Sequence, residues 1–266
     1  MAKAYEALIF DLVDTLVVFD RQRLPAYPIN GQEVRTSSGR VFEHFRPHYP
    51  ALTPEEFHEA FLASGREAER RRGLDLREIR SQERFRFLLD KLGIQRTPES
   101  ERLADEGVLV HMRTMAAIME IPPAHRDFLA WAHGRYRLAV LSNFDFTPTV
   151  HWVLEREGVK DLFEEITVSA DVGWRKPLAM IFHHTLGRLG LDAGQTLFVG
   201  DLLDVDVGGA LAVGMDAVWV NPGGKRRTED DPVPTHEVAS LSALRAVLER
   251  PEVSPTPHPP SPDPRP

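Results

Sequence analysis

The sequence predicts an α/β protein: a Rossmann-like, three-layer core around a central parallel sheet, with a mostly helical domain inserted after the first strand. Three observations carry this reading. Short apolar runs at 7–12, 137–141, 165–168, 196–199 and 217–220 have the length and composition of buried strands. Helix-like segments at 148–157, 178–189 and 205–213 alternate with them, as in a parallel sheet covered on both faces. The stretch 18–118 breaks the series with helical patterning of its own.

The first run, Ala-Leu-Ile-Phe-Asp-Leu, ends in acidic and hydroxyl residues. Asn30-Gly31, between Tyr27 and Val34, predicts a hairpin turn. Thr53-Pro54-Glu55-Glu56 is a capping box with proline at the first helical position. Phe57, Ala60, Phe61, Ser64 and Ala68 then form a helical stripe, and Gly73 is expected to stop it. Asp75 can cap a second helix that ends through Phe85, Leu88, Leu89 and Leu92 at Gly93. Thr97-Pro98-Glu99 opens a third, running to about Met119. The expected division is therefore a core domain from 1–17 and 119–250, an inserted helical domain at 18–118, and a tail at 251–266. Half of that tail is proline, so an extended or disordered segment is expected there.

Composition narrows the function. A chain of 266 residues, 42% hydrophobic and 27% charged, can bury a large core. Its net charge of −8 argues against a general nucleic-acid binder. The absence of cysteine excludes disulfides, thiolate zinc sites and a catalytic thiol. No apolar stretch approaches the ~18 residues of a membrane span. The N-terminus runs straight into the first strand, so a cytoplasmic location is expected.

Four clusters carry chemistry: Asp11 to Thr15 after the first strand, Ser142-Asn143 after a second, Lys176-Pro177 before a helix, and Gly200-Asp201 after a third strand, with Asp206 following. Strand C-termini of a parallel sheet share one edge, where ligands bind, so these distant residues can converge. A carboxylate such as Asp11 can attack an electrophile and form a covalent intermediate. Several converging carboxylates repel one another unless a cation sits between them, and hard oxygen donors suit Mg²⁺.

This set resembles the haloacid dehalogenase-like hydrolase superfamily. Asp11 and Thr15, with Phe10 and Leu16, match the first motif of that family; Ser142 matches the second, Lys176-Pro177 the third, and Gly200, Asp201 and Asp206, followed by Gly209-Ala210, the fourth. The insert lies where the family's helical C1-type cap sits. The resemblance implies hydrolysis of a small phosphorylated metabolite through an aspartyl-phosphate on Asp11. It implies Mg²⁺ held by Asp11, Asp201, Asp206 and the main-chain carbonyl of Val13. Lys176 would steady the carboxylate and phosphate as a point charge. Ser142 and the backbone N–H of Asn143 would donate to a phosphate oxygen, with Thr15 bracing the loop at the substrate end. Asp206 has a second reading as a helix cap.

One position departs from the pattern. The family's phosphatases carry a general acid/base Asp two residues after the nucleophile, and here that residue is Val13. Three alternatives follow: a phosphatase of altered activity, a pseudophosphatase that binds a phosphorylated ligand or a protein, and a phosphonatase- or dehalogenase-like hydrolase. A phosphonatase would need a cap lysine, and Lys91 is the candidate. The arginines Arg70-Arg71-Arg72 read either as an attractor for an anionic substrate or as a solvated helix end. Phe144-Asp145-Phe146 either line the cleft or start the next helix, and Trp174 either flanks the site or packs. The adjacent His183 and His184 point in different directions and do not make a metal site.

Overall fold

A computed structural model describes residues 5–249; the proline-rich tail lies outside the described residues. The first strand, β1 (Ala7–Phe10), is buried along its whole length and stands in the middle of a six-stranded sheet. Its neighbours are β6 (Arg137–Ser142) on one side and β8 (Thr196–Gly200) on the other, both parallel to it. The sheet extends through β7 (Glu165–Val168) at one edge and through β9 (Asp216–Val220) to β10 (His236–Val238) at the other.

Side chains of a strand alternate between faces, and β1 shows the consequence. Leu8 and Phe10 enter a core with Leu138, Val140, Leu197 and Val199. That face is covered by α5 (Pro123–His133), α6 (Thr147–Arg156) and α10 (Leu241–Leu248) through Phe128, Val153 and Leu244. Ala7 and Ile9 enter the opposite core with Ala139, Leu141 and Phe198. Here α8 (Ala179–Leu189) and α9 (Gly208–Ala212) close the layer through Ile181, Phe182 and Ala210. This is the three-layer α/β architecture that the strand series predicts.

Between β1 and β6 the chain leaves the sheet on β2 (Val18–Phe19) and returns on β5 (Met119–Glu120). The two pair antiparallel, Val18 with Glu120 and Phe19 with Met119, so exit and entry lie side by side. The Asn30-Gly31 turn joins β3 (Ala26–Ile29) to β4 (Gln32–Arg35), with both turn residues at positive φ. Four helices follow: α1 (Ser38–Phe45), α2 (Pro54–Asp75), α3 (Ser81–Lys91) and α4 (Pro98–Ala116). Thr53 and Thr97 each cap through their side chains, with Glu56 and Ser100 answering in capping boxes; such caps contribute about 1 kcal/mol each. Phe42, Phe45, Phe57, Phe61, Phe85, Leu88 and Val108 form the core of this bundle.

Several boundaries differ from the sequence reading. Gly73 does not stop α2, which runs on to Asp75 and ends with Leu76 in the left-handed region at φ 60°. Asp75 does not cap the next helix; its carboxylate accepts from the Arg77 N–H at 3.0 Å in a local turn. The reason is tertiary. The segment 76–81 is bonded to the core: Glu78 N donates to Gly173 O, Arg175 N to Leu76 O and Ser81 N to Asp145 O. Helix α4, expected to run to about Met119, ends at Ala116 because Met119 is taken by the ribbon with β2. The helix expected at 205–213 opens as a wide π-helical turn, Leu203–Val207, before α9.

Where α4 crosses α1 and α3, only glycine fits. A Cβ on Gly107 would stand 2.9 Å from the Phe45 ring and 3.1 Å from the Phe85 ring, both fully buried. Gly107→Ala gains about 1 kcal/mol of helix propensity, against about 1–3 kcal/mol for overpacking. We expect no net stabilisation and a loss of up to ~2 kcal/mol, read from the urea midpoint.

Candidate active site

The C-terminal ends of β1, β6 and β8 deliver Asp11, Ser142 and Asp201 to one edge of the sheet, where Asp206 and Lys176 join them. Hydrogen bonding fixes Asp11 as the continuation of its strand, with its N–H donating to Val199 O at 2.9 Å. The chain then turns sharply: Asp14 takes φ 62°, Asp14 N donates to Val17 O, and Val17 N donates to Leu12 O. Asp206 comes from the π-helical turn, where its Oδ2 accepts from the Leu202 N–H at 3.0 Å. Gly200 makes room for it: a Cβ there would lie 2.5 Å from Asp206 Cβ.

Lys176 is 2% exposed and stands between two carboxylates. Its Nζ donates to Asp11 Oδ1 at 2.6 Å and lies 2.7 Å from Asp206 Oδ1. The second contact is short but misaligned for a hydrogen bond, so its attraction is Coulombic and Asp206 Oδ1 keeps no hydrogen-bond partner. Asn143 holds the lysine from the side. Its Nδ2 donates to Lys176 O at 3.1 Å, and its Oδ1 accepts from Lys176 N–H at 2.8 Å. The Asn143 side chain is therefore spent on positioning Lys176. Thr15 is buried, and its hydroxyl reaches Asp201 Oδ1 at 3.4 Å, so it braces a carboxylate. Ser142 is 1% exposed, and its hydroxyl has no hydrogen bond to a described residue.

One lysine does not balance the carboxylates around it. Oxygens of Asp11, Asp201 and Asp206 lie within 4.8 Å of one another. Burial opposes the charge on Asp11, Lys176 favours it, and Asp206 and Asp201 push the other way; the outcome is a pKa raised from 3.8 to about 7. Burial, Asp206 and Asp14 raise Asp201 to about 6. Burial opposes the charge on Lys176, but Asp11 and Asp206 outweigh it and hold its pKa above the usual lysine value. A set of converging hard oxygens short of positive charge fits a divalent cation such as Mg²⁺.

Above this edge lies a cleft of about 340 Å³ between core and insert. The core contributes Val13, Asn143, Phe144, Asp145 and Arg175; the helices contribute Glu69, Arg72, Arg84, His111 and Met112. Val13 thus presents an apolar side chain to the cleft. Asp14 is exposed and not among the lining residues. Lys91 is likewise exposed and outside the lining. Phe144 and Asp145 line the cleft, whereas Phe146 is buried in the bundle core. Arg70 and Arg71 pair with Glu67, while Arg72 turns inward. Trp174 is partly buried, and its backbone bridges to Arg77.

Arg72 belongs to a network that ties the insert to the core. Glu78, whose side chain is fully buried, accepts from Arg72 Nε at 2.9 Å, from Arg175 Nη1 at 2.6 Å and from Ser169 Oγ. Arg72 also reaches Asp145 at 3.0 Å. Glu78, Arg84 and His111 were not among the residues singled out in the sequence. In an arginine-rich insert no local signal separates them from surface charges.

The family model for haloacid dehalogenase-like hydrolases matches residues 5–214. The chain belongs to the haloacid dehalogenase-like hydrolase family. It is 32% identical over 142 residues to a glyceraldehyde 3-phosphate phosphatase of Pyrococcus abyssi, covering 52% of this chain and 57% of that one. It is 25% identical over 246 residues to the 5-amino-6-(5-phospho-D-ribitylamino)uracil phosphatase YigB of Escherichia coli, covering 91% and 95%. Matches to the first curated relatives span about three-fifths of their length. Among solved structures, a 2-haloacid dehalogenase of Pseudomonas syringae superposes with a TM-score of 0.70 at 25% identity, covering 92% of this chain and 98% of that one. Among the described residues, no helix is long and apolar enough to cross a membrane.

Two outcomes follow for this family member. Asp11 and Asp201 have folded pKa values above their unfolded ones, so their contribution to stability is full below about pH 4. It is lost as pH rises through about 6 to 7. Buried His111, lowered by burial and by Arg84, acts in the opposite sense on the acid side, so the comparison to make is Tm with and without Mg²⁺. At a hundred times its Kd, a cation adds ~2.7 kcal/mol, or roughly 5–10 °C. We expect this shift at pH 8, a much smaller one at pH 5, and none in Asp201→Asn. Glu78→Gln weakens a buried ion network and is expected to cost about 3–5 kcal/mol, read from the denaturation midpoint.

Proposed function

We propose that the chain is a Mg²⁺-dependent phosphatase of small phosphorylated metabolites, working through an aspartyl-phosphate on Asp11. The observation that carries this is the Asp11–Lys176–Asp206 arrangement, with Asp201 beside it, next to a cleft that Val13 and Asn143 line from the same sheet edge. Asp11, Asp201, Asp206 and the main-chain carbonyl of Val13 would hold the ion. Once bound, it supplies charge neutralisation for the transferring phosphoryl group and for the carboxylates, keeping Asp11 ionised at neutral pH.

The residues divide the work as follows. An Asp11 carboxylate oxygen attacks phosphorus while the bond from phosphorus to the ester oxygen breaks, and the leaving group departs as its anion and takes a proton from solvent water. Lys176, locked by Asn143, holds Asp11 in place and meets the phosphate as a point charge. Ser142 Oγ and the backbone N–H of Asn143 donate to a phosphate oxygen. Water then attacks the aspartyl-phosphate, releasing inorganic phosphate and restoring Asp11. Val13 can neither protonate the leaving oxygen nor activate that water, a loss of about 10²–10⁴-fold in rate. The chain is therefore best matched to leaving groups that need little acid, such as those of acyl and aryl phosphates.

We further propose that residues 18–118 act as a cap on a core of 1–17 and 119–250, closing the cleft over the substrate in the cytoplasm. The β2–β5 ribbon supports that division. A second reading has one observation in its favour. Val13 is apolar, and the Pseudomonas syringae relative is named a 2-haloacid dehalogenase. In that reaction Asp11 would displace halide from carbon without a metal. The Asp201–Asp206 pair argues for the phosphatase.

The test is aryl phosphate hydrolysis with and without Mg²⁺, beside halide release from 2-haloacids. We expect Mg²⁺-dependent turnover and a loss of more than ~10³-fold in Asp11→Asn. Val13→Asp should raise alkyl phosphate turnover by about 10²-fold or more. Metal-independent halide release would replace the reading with the dehalogenase one. Turnover in Val13→Asp alone would make the native chain a pseudophosphatase.

A further inference from the structure

We propose that Arg84 is a receptor for a second anionic group, so that the chain selects phosphorylated metabolites that also carry a carboxylate or another phosphate. The choice of substrate class rests on the phosphatase reading above; the receptor itself rests on the charges of the cleft wall.

Four arginines line that cleft: Arg21, Arg72, Arg84 and Arg175. Three are accounted for. Arg72 pairs with Glu78, Asp145 and Glu69, and Arg175 pairs with Glu78. Arg21 is exposed at the rim and lies over the Phe19 ring at 4.8 Å. Arg84 has no carboxylate within ion-pair distance among the described residues. Its Nε is shut off from solvent and has no hydrogen-bond partner. Burial and Arg72 act against its charge, Asp145 and Glu69 act for it, and its pKa lies below the usual arginine value. A guanidinium still stays protonated. An unpaired charge withdrawn from water is costly, and it persists where something else supplies the counter-charge.

The guanidinium is also held in place. It lies over the Phe61 ring at 4.4 Å and donates to His111 Nε2 at 3.1 Å and to Phe61 O at 3.4 Å. Arginine can only donate, so His111 Nε2 accepts, and its Nδ1–H is directed to Ser37 Oγ at 2.9 Å. His111 is thus neutral and adds no competing charge. Of the five N–H donors on Arg84, two are engaged and Nε–H is closed off from solvent, which leaves one on each terminal nitrogen. Such a planar fork suits a carboxylate or phosphate. Val13 and Asn143, which flank the core residues that would meet the reacting phosphate, line the same cleft from the sheet domain. A ligand of a few carbons can therefore be bound at both ends within about 340 Å³.

The experiment compares matched ligands on the full chain with Mg²⁺: phosphoglycolate against ethyl phosphate, and propane-1,3-diol bisphosphate against propyl phosphate. Dissociation constants come from calorimetry, or KM where a ligand is turned over. The native chain should prefer the doubly anionic member of at least one pair by tenfold or more. The pair that shows the preference identifies carboxylate or phosphate as the recognised group. Arg84→Gln should reduce that preference by at least tenfold, and Arg84→Lys should retain part of it. Far-ultraviolet circular dichroism and Tm establish that each variant is folded. If Arg84→Gln misfolds, the test passes to Arg84→Lys, whose preference must fall below that of the native chain. No preference in the native chain, or an equal preference in a folded variant, overturns the proposal. Because binding is read directly, failure of turnover counts against the phosphatase reading and leaves this outcome intact.

Discussion

Lys176 is what permits three carboxylates to share one edge of this sheet. Without a buried ammonium between Asp11 and Asp206, the mutual repulsion of Asp11, Asp201 and Asp206 would push the loops after β1 and β8 apart. Much of the local structure serves to keep that ammonium in place. Asn143 clamps its backbone from the end of β6. Gly200 leaves the space that Asp206 needs to reach it. The wide turn at Leu203–Val207 sets Asp206 at a height that a regular helix start would not give it. Even so, burial, with the neighbouring carboxylates behind it, keeps the pKa values of Asp11 and Asp201 raised. The three carboxylates form a donor set that a divalent cation fits.

The insert repeats this logic with opposite sign. Arg72 and Arg175 converge on Glu78, fully buried, and so bind the loop after α2 to the loop that precedes Lys176. This network adjoins the segment that carries Lys176, and any movement of the helices must disturb it. Glu78 thereby couples the state of the cleft to the segment that carries the lysine. The apolar core of the insert also takes in Phe146 and, at its margin, Phe144 and Trp152 from the sheet domain, and Phe144 packs as well against the core that holds Phe10.

Much of this was legible in the sequence because strand ends and capping residues are local signals. The apolar run at β1, the capping boxes at Thr53 and Thr97 and the Asn30-Gly31 turn all stand where their chemistry indicates. Elements with weak local signals were not legible. Helix α1 has only eight residues and no side-chain cap, and α5 and β10 depend on packing against the sheet. Gly73 and Asp75 misled because contacts between the 76–81 segment and the core set the end of α2. At the site, residues that follow strands could be placed by topology, since parallel strands deliver their ends to one edge. Asn143 lay at the right place, yet its side chain serves the lysine. The cleft wall from the insert could not be read, because Arg84 and Arg86 look alike until packing puts Arg84 against Phe61 and His111.

The β2–β5 ribbon has a consequence for how the chain acquires its structure. β1 is made first, yet both of its sheet partners are made much later, with Arg137 and Thr196. At typical synthesis rates of ~5–20 residues per second, this apolar strand stays unpaired for on the order of ten seconds. Closing so long a loop is entropically slow. A helical bundle held by local contacts assembles sooner, and by pairing Val18 with Glu120 it brings the end of β1 close to the start of α5. The insert then acts as a splint. By folding, it turns a distant encounter between β1 and β6 into a near one, and it shortens the time for which the central strand is open to misassociation.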